Sequence, residues 1–180
     1  MRTSKSIVIS IVTLILLIGS CATFSLLRPE SPWARAQARL SAEQRWSQRS
    51  FGNYHLELTD KHCLFSMDIH NERIQKIAPQ RCEAPPRSIT DLFTLIKRDG
   101  QISQPCIYLG CACDDKIYVD AQYHTKLGYP QHITVYIRAE PNYWHSAYWQ
   151  YVWNRRQAPP CNNLMEGSKL IEVLSVQPQQ

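Results

Sequence analysis

The chain has 180 residues, of which 44% are apolar, 19% charged and 10% aromatic. That length excludes two large domains, and that apolar content excludes a chain disordered throughout. Seven cysteines and 11 prolines against 6 glycines exclude a collagenous or low-complexity chain.

From Ser6 to Leu27 there is no charged residue, and Arg2 and Lys5 precede the run. A helix of that length rises about 30 Å, the hydrocarbon thickness of a bilayer. Three alternatives fit: an uncleaved signal anchor, a lipoprotein signal ending at an acylated Cys21, and a cleaved signal peptide. Each places the rest of the chain outside the cytoplasm. The anchor carries most weight, because Ala22, Phe24, Leu26 and Leu27 continue the apolar run beyond Cys21.

The net charge is +5. Arg2 and Lys5 supply two of these charges. Residues 28–50 hold five arginines against Glu30 and Glu43, so residues 51–180 are neutral in sum. The basic surplus therefore flanks the membrane segment instead of patterning a folded surface, which excludes nucleic acid as a partner. Charge alone leaves the orientation of the span ambiguous. Cysteine usage decides it: besides Cys21 the chain has Cys63, Cys82, Cys106, Cys111, Cys113 and Cys161, an even set in a small domain, as expected for disulfides outside the cytosol.

Residues 28–52 read as a helical juxtamembrane stalk. Ser31 can cap it, Pro32 suits the first helical position, and Gly52 can terminate it. Its apolar residues are sparse, with Trp33 and Leu40 seven apart. From residue 53 the period changes to two. Tyr54, Leu56 and Leu58 alternate with His55, Glu57 and Thr59; Cys63, Phe65, Met67 and Ile69 alternate with Leu64, Ser66 and Asp68. Asn71-Glu72 turns the chain into a third strand holding Ile74 and Ile77. In that register Cys63 faces Gln80 and comes within two residues of Cys82, which predicts a Cys63–Cys82 bridge.

Ser88 and Asp91 form a capping box for a helix with Ile89, Leu92, Phe93 and Ile96 on one face, stopped by Gly100. A loop with Cys106, Cys111 and Cys113 follows. A strand over 116–123 then turns at Leu127-Gly128-Tyr129-Pro130 into another holding Ile133, Val135 and Ile137. The expected fold is α+β: an antiparallel sheet built as meander, helix and hairpin, with one packed helix, preceded by a transmembrane anchor and a helical stalk. The segments are 1–27 (anchor), 28–52 (stalk), 53–138 (α+β domain) and 139–180 (aromatic-rich C-terminal extension). Residues 143–153 read as a final strand with rings on both faces, with a short helix as the alternative. The tail beyond Cys161 reads as one apolar patch, Leu170 to Val176, with a frayed end.

Trp46, Phe51 and Tyr54 leading into Tyr-His-Leu-Glu-Leu, Cys63, the helix opening Ser88-Ile89-Thr90-Asp91-Leu92-Phe93, and Tyr123 followed by Leu127-Gly128-Tyr129-Pro130-Gln131-His132-Ile133 carry a resemblance. They resemble a bacterial domain-of-unknown-function family of exported, often lipid-anchored proteins, over about Trp46 to Ile137. The resemblance implies an anchor followed by one small α+β domain, and it supplies no catalytic residues. The insert between Cys106 and Cys113 and the aromatic extension depart from that family's pattern.

Candidate chemistry is thin. Cys106-x4-Cys111-x-Cys113 with Cys161 or a histidine offers four zinc ligands, but the gaps are wrong for a structural site and exported cysteines oxidise. Cys111 and Cys113 are too close to pair with each other, so each is expected to find a distant partner, with Cys161 tying the extension to the insert. His62 beside Cys63 lacks the free thiol that a nucleophile needs. Asp114, Asp115 and Asp120 lack calcium-loop spacing. No nucleophile elbow or phosphate loop occurs, and no cofactor is expected.

The expected function is a non-catalytic binding or interaction module of the bacterial cell envelope, anchored in the membrane, with an envelope protein or glycan as partner and Trp149, Tyr151 and Trp153 as the binding surface. The alternative is a small envelope hydrolase built from His124 or His132 with Asp120.

Overall fold

The computed structural model describes residues 31–78, 84–161 and 165–179. The expected membrane segment with Cys21 lies outside the described residues, as does Cys82. Among the described residues no helix is long and apolar enough to cross a membrane.

The chain divides into two compact units, Met1–Ser41 and Ala42–Gln180. Helix α1, Pro32–Ser47, begins in the first unit and ends in the second. The Ser31 hydroxyl caps it, accepting the Ala34 N–H at 3.1 Å. Its last turns bury Ala42 and Trp46, so this end of the expected stalk is part of the hydrophobic core.

The second unit is a seven-stranded antiparallel sheet in the order β3-β2-β1-β7-β6-β5-β4. Strands β1 (Asn53–Asp60), β2 (Cys63–His70) and β3 (Arg73–Ile77) form the expected meander. Asn71 and Glu72 both take left-handed φ, 47° and 63°, as a two-residue hairpin turn demands. His70 faces Arg73 as expected, but a bulge between Asp68 and Ile69 shifts the register by one residue. Helix α2, Ile89–Ile96, has its capping box: Ser88 Oγ accepts the Asp91 N–H and Asp91 returns the contact to the Ser88 N–H. Ile89, Leu92, Phe93 and Ile96 are all buried, as expected of one face. Strands β5 (Cys113–Tyr123) and β6 (Pro130–Pro141) form the expected hairpin.

Three expectations fail. Residues 143–153 are not a strand: helix α3 spans Ser146–Arg155. Aromatic residues favour strands because they suit a pleated surface, but here a His145 cap and a single buried ring, Tyr148, select a helix on the surface. The segment read as a loop contains strand β4, Ile102–Tyr108. Pro105 and two register shifts against β5 hide its alternation, and as an edge strand it tolerates both. The tail supplies β7, Met165–Pro178, which lies between β1 and β6 and joins meander to hairpin. Its alternation is masked because Leu170 and Leu174 are exposed while Ile171 and Val173 are buried.

One face of the sheet is the core. Tyr54, Leu56 and Leu58 of β1 join Phe65, Met67 and Ile69 of β2, Ile171 and Val173 of β7, and Ile133, Ile117 and Val119 of the hairpin. Trp46 meets Tyr54 and Tyr129 edge-on, with centroids at 5.3 and 6.1 Å. The opposite face is open to solvent, as antiparallel sheets allow. It carries His55, Ser66, Asp68, Asp120, His132 and Glu172, all half-buried or exposed.

Candidate functional site

Helix α3 presents an aromatic ridge. The His145 side chain accepts the Ala147 N–H at 3.1 Å, and Arg156, with φ 53°, closes the C-terminal end by donating its N–H to Val152 at 2.7 Å. Tyr148 is buried and packs edge-on to Tyr143 and Trp149. The other rings point outward: Trp144 is 99% exposed, Trp153 86% and Trp149 58%. Trp149 and Trp153, four residues apart, share one side of the helix. Tyr151 is half-buried, and on a helix it does not lie between them. The Trp149 indole N–H donates to the Tyr143 carbonyl at 2.9 Å, so this ring is held in place before any ligand arrives.

Disulfides fix that end of the molecule. Cys113 on β5 bridges to Cys161, with Cα atoms 5.8 Å apart, and pins the segment carrying α3 to the sheet. Ala139 packs with this pair in a second, small core. Cys106 bridges to Cys111 across the β4–β5 turn. Cys161 thus ties extension to insert as expected, whereas Cys111, expected to find a distant partner, pairs with Cys106 five residues away because the β4–β5 turn brings the two together. Cys63 is also disulfide-bonded; Cys82, expected as its partner, lies outside the described residues. One ring nitrogen of His145 and the sulfur atoms of Cys106 and Cys111 lie within 4.8 Å of one another. Joined to each other, the two sulfurs offer no thiolate pair to a metal.

On the open sheet face a second constellation appears. The Ser66 hydroxyl lies 3.1 Å from His55 Nε2, and His55 Nδ1 lies 2.7 Å from Asp68 Oδ1. Serine, imidazole and carboxylate stand in the order of a nucleophile, its base and the group that orients the base. The hydrogen bond from His55, then that from Gln179, holds the Asp68 carboxyl below its ordinary value of 3.8. These side chains lie on β1 and β2, whose ladder residues pair along their length.

Of the residues singled out for a hydrolase, His124 is committed to its own turn, while His132 and Asp120 share the open face. His124 Nδ1 accepts the Leu127 N–H at 3.1 Å and the ring stacks on Tyr129, so it serves its own turn. His132 meets Glu172 at 3.2 Å on the open face. Asp120 is exposed opposite Thr134, and His132 lies opposite Gln122, which leaves the two diagonal across one ladder. Asp114 is buried and accepts the Cys106 N–H at 2.9 Å; it holds the turn. The Ser66–His55–Asp68 relay was overlooked although its signal is in the chain. Once the hairpin closes at Lys61-His62, Asp68 must face His55 on the side away from the core.

Comparisons with family models, with curated proteins and with solved structures found no match.

Proposed function

We propose that this chain is a membrane-anchored, extracytoplasmic module of the bacterial cell envelope that binds a glycan, without catalysis, through the aromatic ridge of α3. The observation that carries this reading is the exposure of Trp149 and Trp153 on α3, and of Trp144 just before it, in a segment pinned by a buried disulfide. Exposed indoles have an unfavourable contact with water that a flat, apolar ring face relieves. Trp149 and Trp153 stand about one turn apart, roughly 6 Å along the axis, and so present a ladder to successive rings of a saccharide. Export and anchoring rest on the uncharged run at Ser6–Leu27 and on oxidised cysteines.

The test is co-sedimentation of the full chain, in detergent micelles, with purified cell-wall glycan. Retention that soluble glycan fragments compete away supports the reading; no retention overturns it.

A hydrolase is the second reading, favoured by the Ser66–His55–Asp68 geometry. A fluorophosphonate probe that labels Ser66, and fails to label His55→Ala, would establish it; no labelling of Ser66 removes it.

A further inference from the structure

The two fully described bridges differ in kind. Cys113–Cys161 is sealed, with its residues 0% and 1% exposed. Cys106–Cys111 sits at the β4–β5 turn with Cys106 exposed and Cys111 half-buried. Cys106, Leu109 and Cys111 all take left-handed φ, 57°, 51° and 79°, a region that side chains bearing a Cβ occupy at a cost. Opening the bridge frees these residues to leave it. The hairpin does not depend on the bridge alone, because Asp114 Oδ1 accepts the Cys106 N–H. His145 places a ring nitrogen beside both sulfurs. Its Nδ1 accepts the Ala147 N–H, an assignment from the hydrogen bond that leaves the proton of the neutral ring on Nε2.

We propose that Cys106–Cys111 is a thiol-exchange site, opened by a dithiol protein of the same compartment. The inference goes beyond glycan binding and does not rest on it. A thiolate of the partner attacks Sγ of the exposed Cys106, the Cys106–Cys111 bond breaks, and Cys111 leaves as a thiolate that takes a proton by way of His145. The partner's second thiolate then attacks the mixed disulfide. The partner's own disulfide forms, and Cys106 leaves as a thiolate protonated from solvent. The partner dithiol is oxidised by two electrons and the bridge is reduced by two. Exposed and strained disulfides are the labile ones, and a nearby group that stabilises the leaving thiolate speeds exchange.

The full chain in detergent micelles is equilibrated across a series of glutathione redox ratios, alkylated and mapped by mass spectrometry. Cys106–Cys111 is expected to open at a ratio at least tenfold less reducing than Cys113–Cys161, about 30 mV for a two-electron couple. Opening of both at one ratio, or of Cys113–Cys161 first, overturns the proposal. A reduced Cys-x-x-Cys oxidoreductase should open the bridge faster than equimolar dithiothreitol; a rate no faster overturns the protein dithiol as partner. His145→Asn keeps a capping oxygen for α3, so circular dichroism should show the helix retained while reduction slows at least threefold. An unchanged rate removes His145 from the mechanism.

Discussion

Glu72 accepts the indole N–H of Trp46 at 3.2 Å, tying the last turn of α1 to the β2–β3 hairpin. The same carboxylate takes the Arg49 guanidinium, the Tyr54 hydroxyl at 3.0 Å, and both the N–H and the hydroxyl of Thr90. Burial, and then the Glu72 charge, push the Tyr54 hydroxyl above its ordinary titration range, so it remains a donor. Two helices and a hairpin thus converge on one side chain, in a left-handed residue that these contacts hold in place. Glu72→Gln keeps the shape and removes the charge. It should cost about 2 kcal/mol in urea unfolding, since charge-assisted bonds are lost and donors are left imperfectly paired. A change below about 0.5 kcal/mol would show that the cluster is a solvated surface feature.

Gly128, in the Gly-Tyr-Pro turn, has φ 80° and lies against the Ala42 carbonyl of α1. A Cβ there would collide with that oxygen and stand 2.9 Å from Arg45 Cβ. Gly128→Ala should therefore destabilise by about 2–4 kcal/mol, combining strain with displacement of α1. Thermal unfolding followed by circular dichroism checks it.

Loss of the Cys113–Cys161 bridge, as in Cys113→Ala with Cys161→Ala, should cost roughly 4 kcal/mol. The bridge closes a loop with a sequence separation of 48, and the entropy of the unfolded chain rises with loop length. Denaturant unfolding gives the number. A loss under 1 kcal/mol would mean that the segment carrying α3 is held by other contacts.

The Asp68 carboxyl should titrate below 3.8, because its partners His55 and Gln179 favour the ionised form. A folded-state value below the unfolded one adds stability above the unfolded titration, and that stability is lost as pH falls through the folded value. Carbon NMR of the Asp68 carboxyl measures the midpoint. In His55→Ala it should move up towards 3.8; an unmoved midpoint would dissolve the relay.

How much was legible follows from which signals are local. The meander and α2 were readable because alternation at Tyr54–Leu58 and the Ser88–Asp91 box need no partner to be recognised. β7 was not, because Leu170 and Leu174 blur its alternation and its place between β1 and β6 is a long-range pairing. For α3, composition pointed to a strand, while the deciding features were the His145 cap and the burial of Tyr148 alone. β4 was hidden by Pro105 and its shifted register. The open-face relay depends on register, so it becomes visible only when β1 and β2 are paired and not merely found. The ridge was named from its residues, but which rings stand free required the helix: Trp149 and Trp153 do, and Tyr151 is half-buried.

The most direct measurement pairs stability with glycan binding in Trp149→Ala with Trp153→Ala. Both rings are exposed, so the double variant should unfold within about 1 kcal/mol of the parent chain, while retention by cell-wall glycan falls at least tenfold. Undiminished retention at parental stability would contradict the assignment of this ridge as the glycan surface. A loss of several kcal/mol, as for buried aromatics, would show that these rings hold the fold together instead.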